Sequence, residues 1–140
     1  MALVLCTGVY PTLVETRKML LQSVGHFVVV PDTALDIETS CRRFAFDVAI
    51  ICQTASAGLK RQWSSLVRAT CPSAKILELY QLNTGIILGD ADAWLEVPSS
   101  APTQLIDLVA VLTEQKPVTG GGDGSTSEAG APEANVSGAP

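Results

Sequence analysis

Five apolar residues in a row, Val48-Ala49-Ile50-Ile51-Cys52, follow Phe46-Asp47 without a polar interruption. A strand with one wet face alternates polar and apolar side chains, so an unbroken run means that both faces are covered. Strands of that kind belong to parallel sheets with helices on either side. The flanking sequence fits such a sheet. Leu3 to Cys6 is a short apolar strand, and residues 12 to 24 place Leu13, Val14, Leu20, Leu21 and Val24 on one helical stripe before Gly25 ends it. Phe27 to Val30 is a β-branched run, and a polar-faced helix then carries Ile37, Cys41 and Phe44. Residues 58 to 70 form a third helix with Leu59, Trp63, Leu66 and Val67 on one face, ended by Cys71-Pro72. Lys75 to Tyr80 and Ala93 to Val97 are the last strands. The final helix is signalled by Ser100 as N-cap, Pro102 in the first turn, and Leu105, Leu108, Val109 and Leu112 at helical spacing. This alternation predicts a doubly wound, five-stranded parallel sheet. The weak link is Gln81 to Asp92, where Asn83-Thr84-Gly85 and Gly89-Asp90 leave room only for a short helix or none.

With 47% apolar and 16% charged residues, 140 residues fill one core. The domain is expected over residues 1–116. From Pro117 onward the chain is almost wholly Gly, Ala, Ser, Thr, Pro and acid, too poor in apolar surface to offset its ordering entropy, and a disordered tail is expected over 117–140. The sequon Asn135-Val136-Ser137 lies there and is not expected to be glycosylated. No apolar run reaches the roughly 20 residues that span a bilayer, and the short start Met1-Ala2-Leu3-Val4-Leu5 has no basic leader, so a cytoplasmic protein is expected. Net charge is −5, and without the tail's Asp123, Glu128 and Glu133 the body holds 11 acidic and 9 basic residues, which argues against a nucleic-acid surface. Protein partners are expected, with no membrane and no cofactor. Cys6, Cys41, Cys52 and Cys71 show neither CxxC nor a nearby histidine, so no zinc spacing is present and they are expected to be buried hydrophobes. No GxGxxG, Walker, HExxH or GxSxG motif occurs.

Phe46-Asp47-Val48-Ala49-Ile50-Ile51-Cys52 resembles the third strand of response-regulator receiver domains, which runs Phe/Tyr-Asp-Leu-Val-Leu-Leu-Asp. Ala91-Asp92-Ala93-Trp94-Leu95-Glu96-Val97-Pro98 is similar to the receiver run Ala-Asp-Asp-Tyr-Leu-Thr-Lys-Pro, whose proline usually follows a cis bond. Gly25-His26-Phe27-Val28 is similar to the step that opens the second receiver strand. The likeness covers roughly residues 2 to 115. It implies the flavodoxin-like, CheY-like receiver fold, here with a shortened fourth helix, and a role in two-component, phosphorelay signal transduction.

A receiver's chemistry uses two acids after strand one, a phosphoacceptor aspartate after strand three, a Thr or Ser after strand four and a Lys after strand five. The acids hold Mg²⁺ against the incoming phosphoryl oxygens. By position, Cys6 and Thr7 replace the acid pair, Cys52 the acceptor, Tyr80 the Thr/Ser and Val97 the Lys. Val9 and Tyr10 are inserted before Pro11, and the loop after Cys52 is shortened. The resemblance therefore implies a degenerate, stand-alone pseudo-receiver: no enzyme, no phosphotransfer, a filled pocket, and a protein-interaction role. It puts partner or homodimer contacts on Trp94, the Ser99-Ser100 turn and the exposed side of the last helix.

Rival readings attach to the same residues. Cys6 and Cys52 fall on neighbouring strands and would form a disulfide or hold a soft metal if they were reactive. No charge is expected near enough to lower a thiol pKa, so both are read as filler, and an aspartate at position 52 is expected to cost at least as much stability as an alanine. A small α/β enzyme with an unrecognised site is a further rival, disfavoured by the single His and the lack of clustered acids at strand ends. His26 is expected exposed at the start of a strand rather than mid-helix, where a phosphotransfer histidine sits. Trp63 is read as core or rim packing. Arg42-Arg43 and Lys60-Arg61 are read as solvated outer faces of helices.

Overall fold

The computed structural model describes residues 2–99, 101 and 103–114. The expected tail, its sequon, the domain boundary at 116, and Ser100 and Pro102 lie outside the described residues. In chain order the elements are β1 (Leu3–Cys6), α1 (Pro11–Gln22), β2 (Phe27–Val29), α2 (Ala34–Arg43), β3 (Val48–Ile51), α3 (Ala57–Thr70), β4 (Lys75–Tyr80), β5 (Ala93–Glu96) and α4 (Thr103–Glu114). The strands form one parallel sheet in the order β2-β1-β3-β4-β5.

All four residues of β3 are fully buried, as the unbroken apolar run requires. The pleat divides the core into two layers. Leu5, Ala49, Ile51 and Ile76 join Ile37 and Cys41 of α2 and Trp63 and Val67 of α3 on one face. On the other, Val4, Cys6, Val48, Ile50, Leu77 and Leu79 join Val14 and Leu21 of α1 and Leu105, Val109 and Leu112 of α4. Trp63 is thus a core residue.

Local chemistry sets the helix ends. The Thr33 hydroxyl accepts from Asp36 N at 3.2 Å and the Ser56 hydroxyl from Leu59 N at 3.2 Å, N-caps for α2 and α3. Pro11 opens α1, where its missing N–H costs nothing, and Gly25 takes φ +95° in the turn that leads to β2. Val24, expected on the α1 stripe, lies beyond the helix and is 47% exposed. Phe44, expected within the second helix, is instead the extended residue that ends α2, where it packs between Phe27 and Phe46.

The amino-terminal edge of the sheet is closed by two aspartates. Asp47, one residue before β3, accepts Leu3 N at 2.8 Å, and Asp92, one residue before β5, accepts Ile76 N at 2.7 Å. Each also bonds the same neighbour through its backbone N–H. These carboxylates satisfy strand N–H groups that have no ladder partner. His26 is half-buried rather than exposed: its Nδ1 accepts Ala2 N at 3.0 Å, and burial holds its pKa below the ordinary value.

Between β4 and β5 there is no helix at all. A turn at Gln81–Gly85, with Gly85 at φ +73°, leads into extended chain that tucks Leu88 and Ala91 into the core on the α2–α3 face. Its anchor is a charged pair the sequence reading placed in solvent. Lys60 is only 2% exposed, and its ammonium meets the fully buried Glu78 carboxylate of β4 at 2.7 Å and Leu79 O at 3.0 Å. Glu78 also accepts Ile87 N at 2.9 Å and Leu88 N at 2.8 Å, so one strand residue holds the loop that stands in for the helix. Arg61 and Arg42 remain on exposed helix positions, Arg42 paired with Glu38.

Candidate functional site

In an open parallel sheet, sites form at the carboxyl ends of strands where the strand order reverses. Here that point lies between β1 and β3, where Cys6, Thr7 and Cys52 leave the sheet. All three are buried, at 0%, 1% and 0% exposure. Thr7 turns inward, donating its backbone N–H and its hydroxyl to Ile50 O at 3.0 Å and 2.7 Å. Gly8 then lays the chain across Cys52. A Cβ there would stand 2.1 Å from Val14 Cγ2 and 3.4 Å from Cys52 Sγ, so only glycine lets the loop close down on the thiol.

The group that fills the remaining space is Arg17. It is 8% exposed, on the buried stripe of α1 between Val14 and Leu21. Its guanidinium donates to Cys52 Sγ at 3.3 Å and to Gln53 Oε1 at 2.8 Å. Thr54 Oγ1 lies 3.0 Å from the same sulfur. The expectation that no charge stands near these thiols is therefore wrong. The signal was in the sequence: Val14, Arg17 and Leu21 fall at i, i+3 and i+7, so a cation sits on the apolar stripe itself. Lys60 gives the same signal, one turn from Trp63 and Ser64 on the buried side of α3.

Arg17 is a positive charge close to both thiols, yet at Cys6 burial outweighs it. Desolvation pushes the Cys6 thiol up to about 12, against the opposing pull of Arg17 and with a smaller upward push from Cys52. Cys6 is accordingly a neutral thiol in the physiological range. All four cysteines are free and buried.

Tyr80 and Val97 close the strand ends on the far side. Val97 N donates to Tyr80 O at 2.8 Å, Val97 packs on the α1–α4 layer, and the Val97–Pro98 peptide is cis. Trp94 is 39% exposed, and its indole N–H donates to Leu88 O at 2.9 Å, so this ring braces the helix-free loop as well as facing solvent. The Ser99 hydroxyl donates to Ala101 O at 2.9 Å ahead of α4. Among the described residues no group of three or more His, Cys, Asp or Glu side chains could hold a metal ion, and no helix is long and apolar enough to cross a membrane.

No protein-family model matches the chain, and no curated protein sequence does. Solved structures do. The receiver domain of the Francisella response regulator 1452 aligns at 16% identity and TM-score 0.69, over 84% of this chain and all of that one. Chemotaxis protein CheY4 of Vibrio cholerae aligns at 20% identity and TM-score 0.68, over 80% of this chain and 98% of that one. The receiver domain of the Pseudomonas aeruginosa sensor histidine kinase PA1611, solved with magnesium in its active-site cleft, aligns at 13% identity and TM-score 0.67, over 81% and 98%. At these identities the likeness is one of fold: the chain has the CheY-like receiver fold.

Proposed function

We propose that this chain is a degenerate receiver domain that works in signal transduction as a protein-binding module and does not accept a phosphoryl group. The observation that carries this reading is the Arg17 guanidinium lodged against Cys52. A receiver needs carboxylates to gather Mg²⁺ and a cation to neutralise an acyl phosphate. At the corresponding place this chain offers two thiols, a hydroxyl already spent on Ile50 O, and a fixed positive charge that repels a divalent cation. Gly8 lies so close over Val14 and Cys52 that not even a Cβ fits between them.

With no transfer chemistry, function rests on surface. The partner face we assign comprises Trp94, Ser99 and Ser100, and the outer side of α4, where Val111 is 45% exposed. A protein partner, or a second copy of the chain in a homodimer, would dock there without nucleic acid or membrane, in the cytoplasm. The Glu78-held loop gives that face a rigid floor, because Trp94 is tied to it through Leu88 O.

The test is calorimetric titration of the full chain with Mg²⁺ and beryllofluoride, alongside intact mass after acetyl phosphate. No saturable heat and no added phosphoryl mass are expected. Either signal, if dependent on Mg²⁺, overturns the reading. The rival thiol reading draws on the same Arg17–Cys52 contact. The complete burial of both sulfurs and the high Cys6 pKa weigh against it.

A further inference from the structure

The more accessible thiols are elsewhere. Cys41, in the last turn of α2, and Cys71, the residue that ends α3, meet where the two helices finish at the amino-terminal end of the sheet. Both line a surface recess of about 370 Å³, and the Cys41 thiol has the Thr70 hydroxyl and the Cys71 thiol within hydrogen-bonding reach. They are 6% and 4% exposed, against 0% for Cys6 and Cys52. Arg42 and Arg43 line the same recess. Burial raises the Cys41 pKa, with the Thr70 hydroxyl opposing it, so attack starts from the minor thiolate fraction of a thiol that the recess makes reachable.

We propose that Cys41 and Cys71 form a peroxide-responsive dithiol site, in which hydrogen peroxide entering this recess converts the pair to a disulfide joining the end of α2 to the end of α3. One thiol, as thiolate, attacks a peroxide oxygen. The O–O bond breaks, the departing hydroxide takes up a proton to leave as water, and the attacked oxygen stays on sulfur as a sulfenic acid. The second thiolate attacks that sulfur. The S–O bond breaks, an S–S bond forms, and the second oxygen leaves as water with the remaining proton. Two thiols and one peroxide thus give one disulfide and two waters. Contact between the two side chains makes the second step fast enough to compete with over-oxidation. The recess suits a small oxidant, because the two residues that line it are almost fully buried.

The experiment is graded hydrogen peroxide on the full chain, followed by denaturation, alkylation of free thiols and peptide mapping. The expected result is a Cys41–Cys71 linkage with loss of two hydrogens, reversed by dithiothreitol, at a dose that leaves Cys6 and Cys52 alkylatable. Cys41→Ser and Cys71→Ser should each abolish the linkage, and at least one should leave a dimedone-reactive sulfenic acid on the surviving partner. The proposal fails if peroxide leaves Cys41 and Cys71 alkylatable or carries either to sulfinic acid without the bond. It fails equally if Cys6 is linked to Cys52 first, or if neither serine variant traps dimedone. The wild-type mapping decides the matter even if a variant does not fold.

Discussion

A carboxylate introduced at position 52 would meet a guanidinium, and that contact reverses the order of costs expected from the sequence. Cys52→Ala should lose about 1–3 kcal/mol through a small void. Cys52→Asp would place its oxygens beside Arg17, whose Nη1 already reaches the sulfur at 3.3 Å, and should cost less than a buried charge without a partner. The expected outcome is therefore a coupling. In an Arg17→Met background, Cys52→Asp should destabilise by roughly 3 kcal/mol more than it does in the native chain, because the carboxylate is then buried alone. Urea unfolding of the four chains gives the cycle. Additivity within about 0.5 kcal/mol would show that Arg17 does not face position 52 in solution.

Among the elements, the stretch between β4 and β5 owes its shape to one strand residue. Ile87 N uses Glu78 Oε2 and Leu88 N uses Oε1, while Lys60 shares Oε2. A glutamine keeps only one carbonyl oxygen, turns an NH₂ toward a backbone donor, and leaves Lys60 buried without its counter-charge. Glu78→Gln should cost about 3–5 kcal/mol, the usual loss when one member of a buried pair goes. It should also speed hydrogen exchange at the amides of Ile87 and Leu88. Lys60→Met should destabilise too, yet leave those two amides slow, since the carboxylate that holds them remains. Equal acceleration in both variants would mean that the pair as a whole, and not the carboxylate, fixes the loop.

For the molecule as a whole, two ends of one sheet have diverged in what they keep. Asp47 and Asp92, which carry much of the likeness to receivers, serve the amino-terminal edge as acceptors for strand N–H groups. The carboxyl ends, where a receiver does its chemistry, hold Cys6, Thr7 and Cys52 under Arg17 and Gly8. The fold's requirements are met, and under the proposed reading those of a phosphoryl site are not. The composition of residues 117–140 belongs to this scale as well. Truncation after Lys116 should shift stability by less than about 1 kcal/mol, because the segment has too little apolar surface to dock. Thermal melts of the two chains compare them, and a larger loss would place the segment on the body.

What the sequence determined by itself was the sheet and its layers. An unbroken apolar strand needs cover on both faces, helical stripes at Trp63 and Val67 or Leu105 and Val109 supply it, and Gly, Pro and Asx residues mark the joins. These are local periodicities, and short-range sterics and burial enforce them. That Cys6, Thr7 and Cys52 rather than acids stand at these strand ends was legible in the same way, as residue identity. What only the tertiary structure decided was which charges go inside. Arg17 reaches Cys52 across 35 residues of sequence, and Lys60 reaches Glu78 across 18. A buried cation is tolerable only where a distant acceptor meets it, and that meeting is a property of packed elements rather than of any window of the chain.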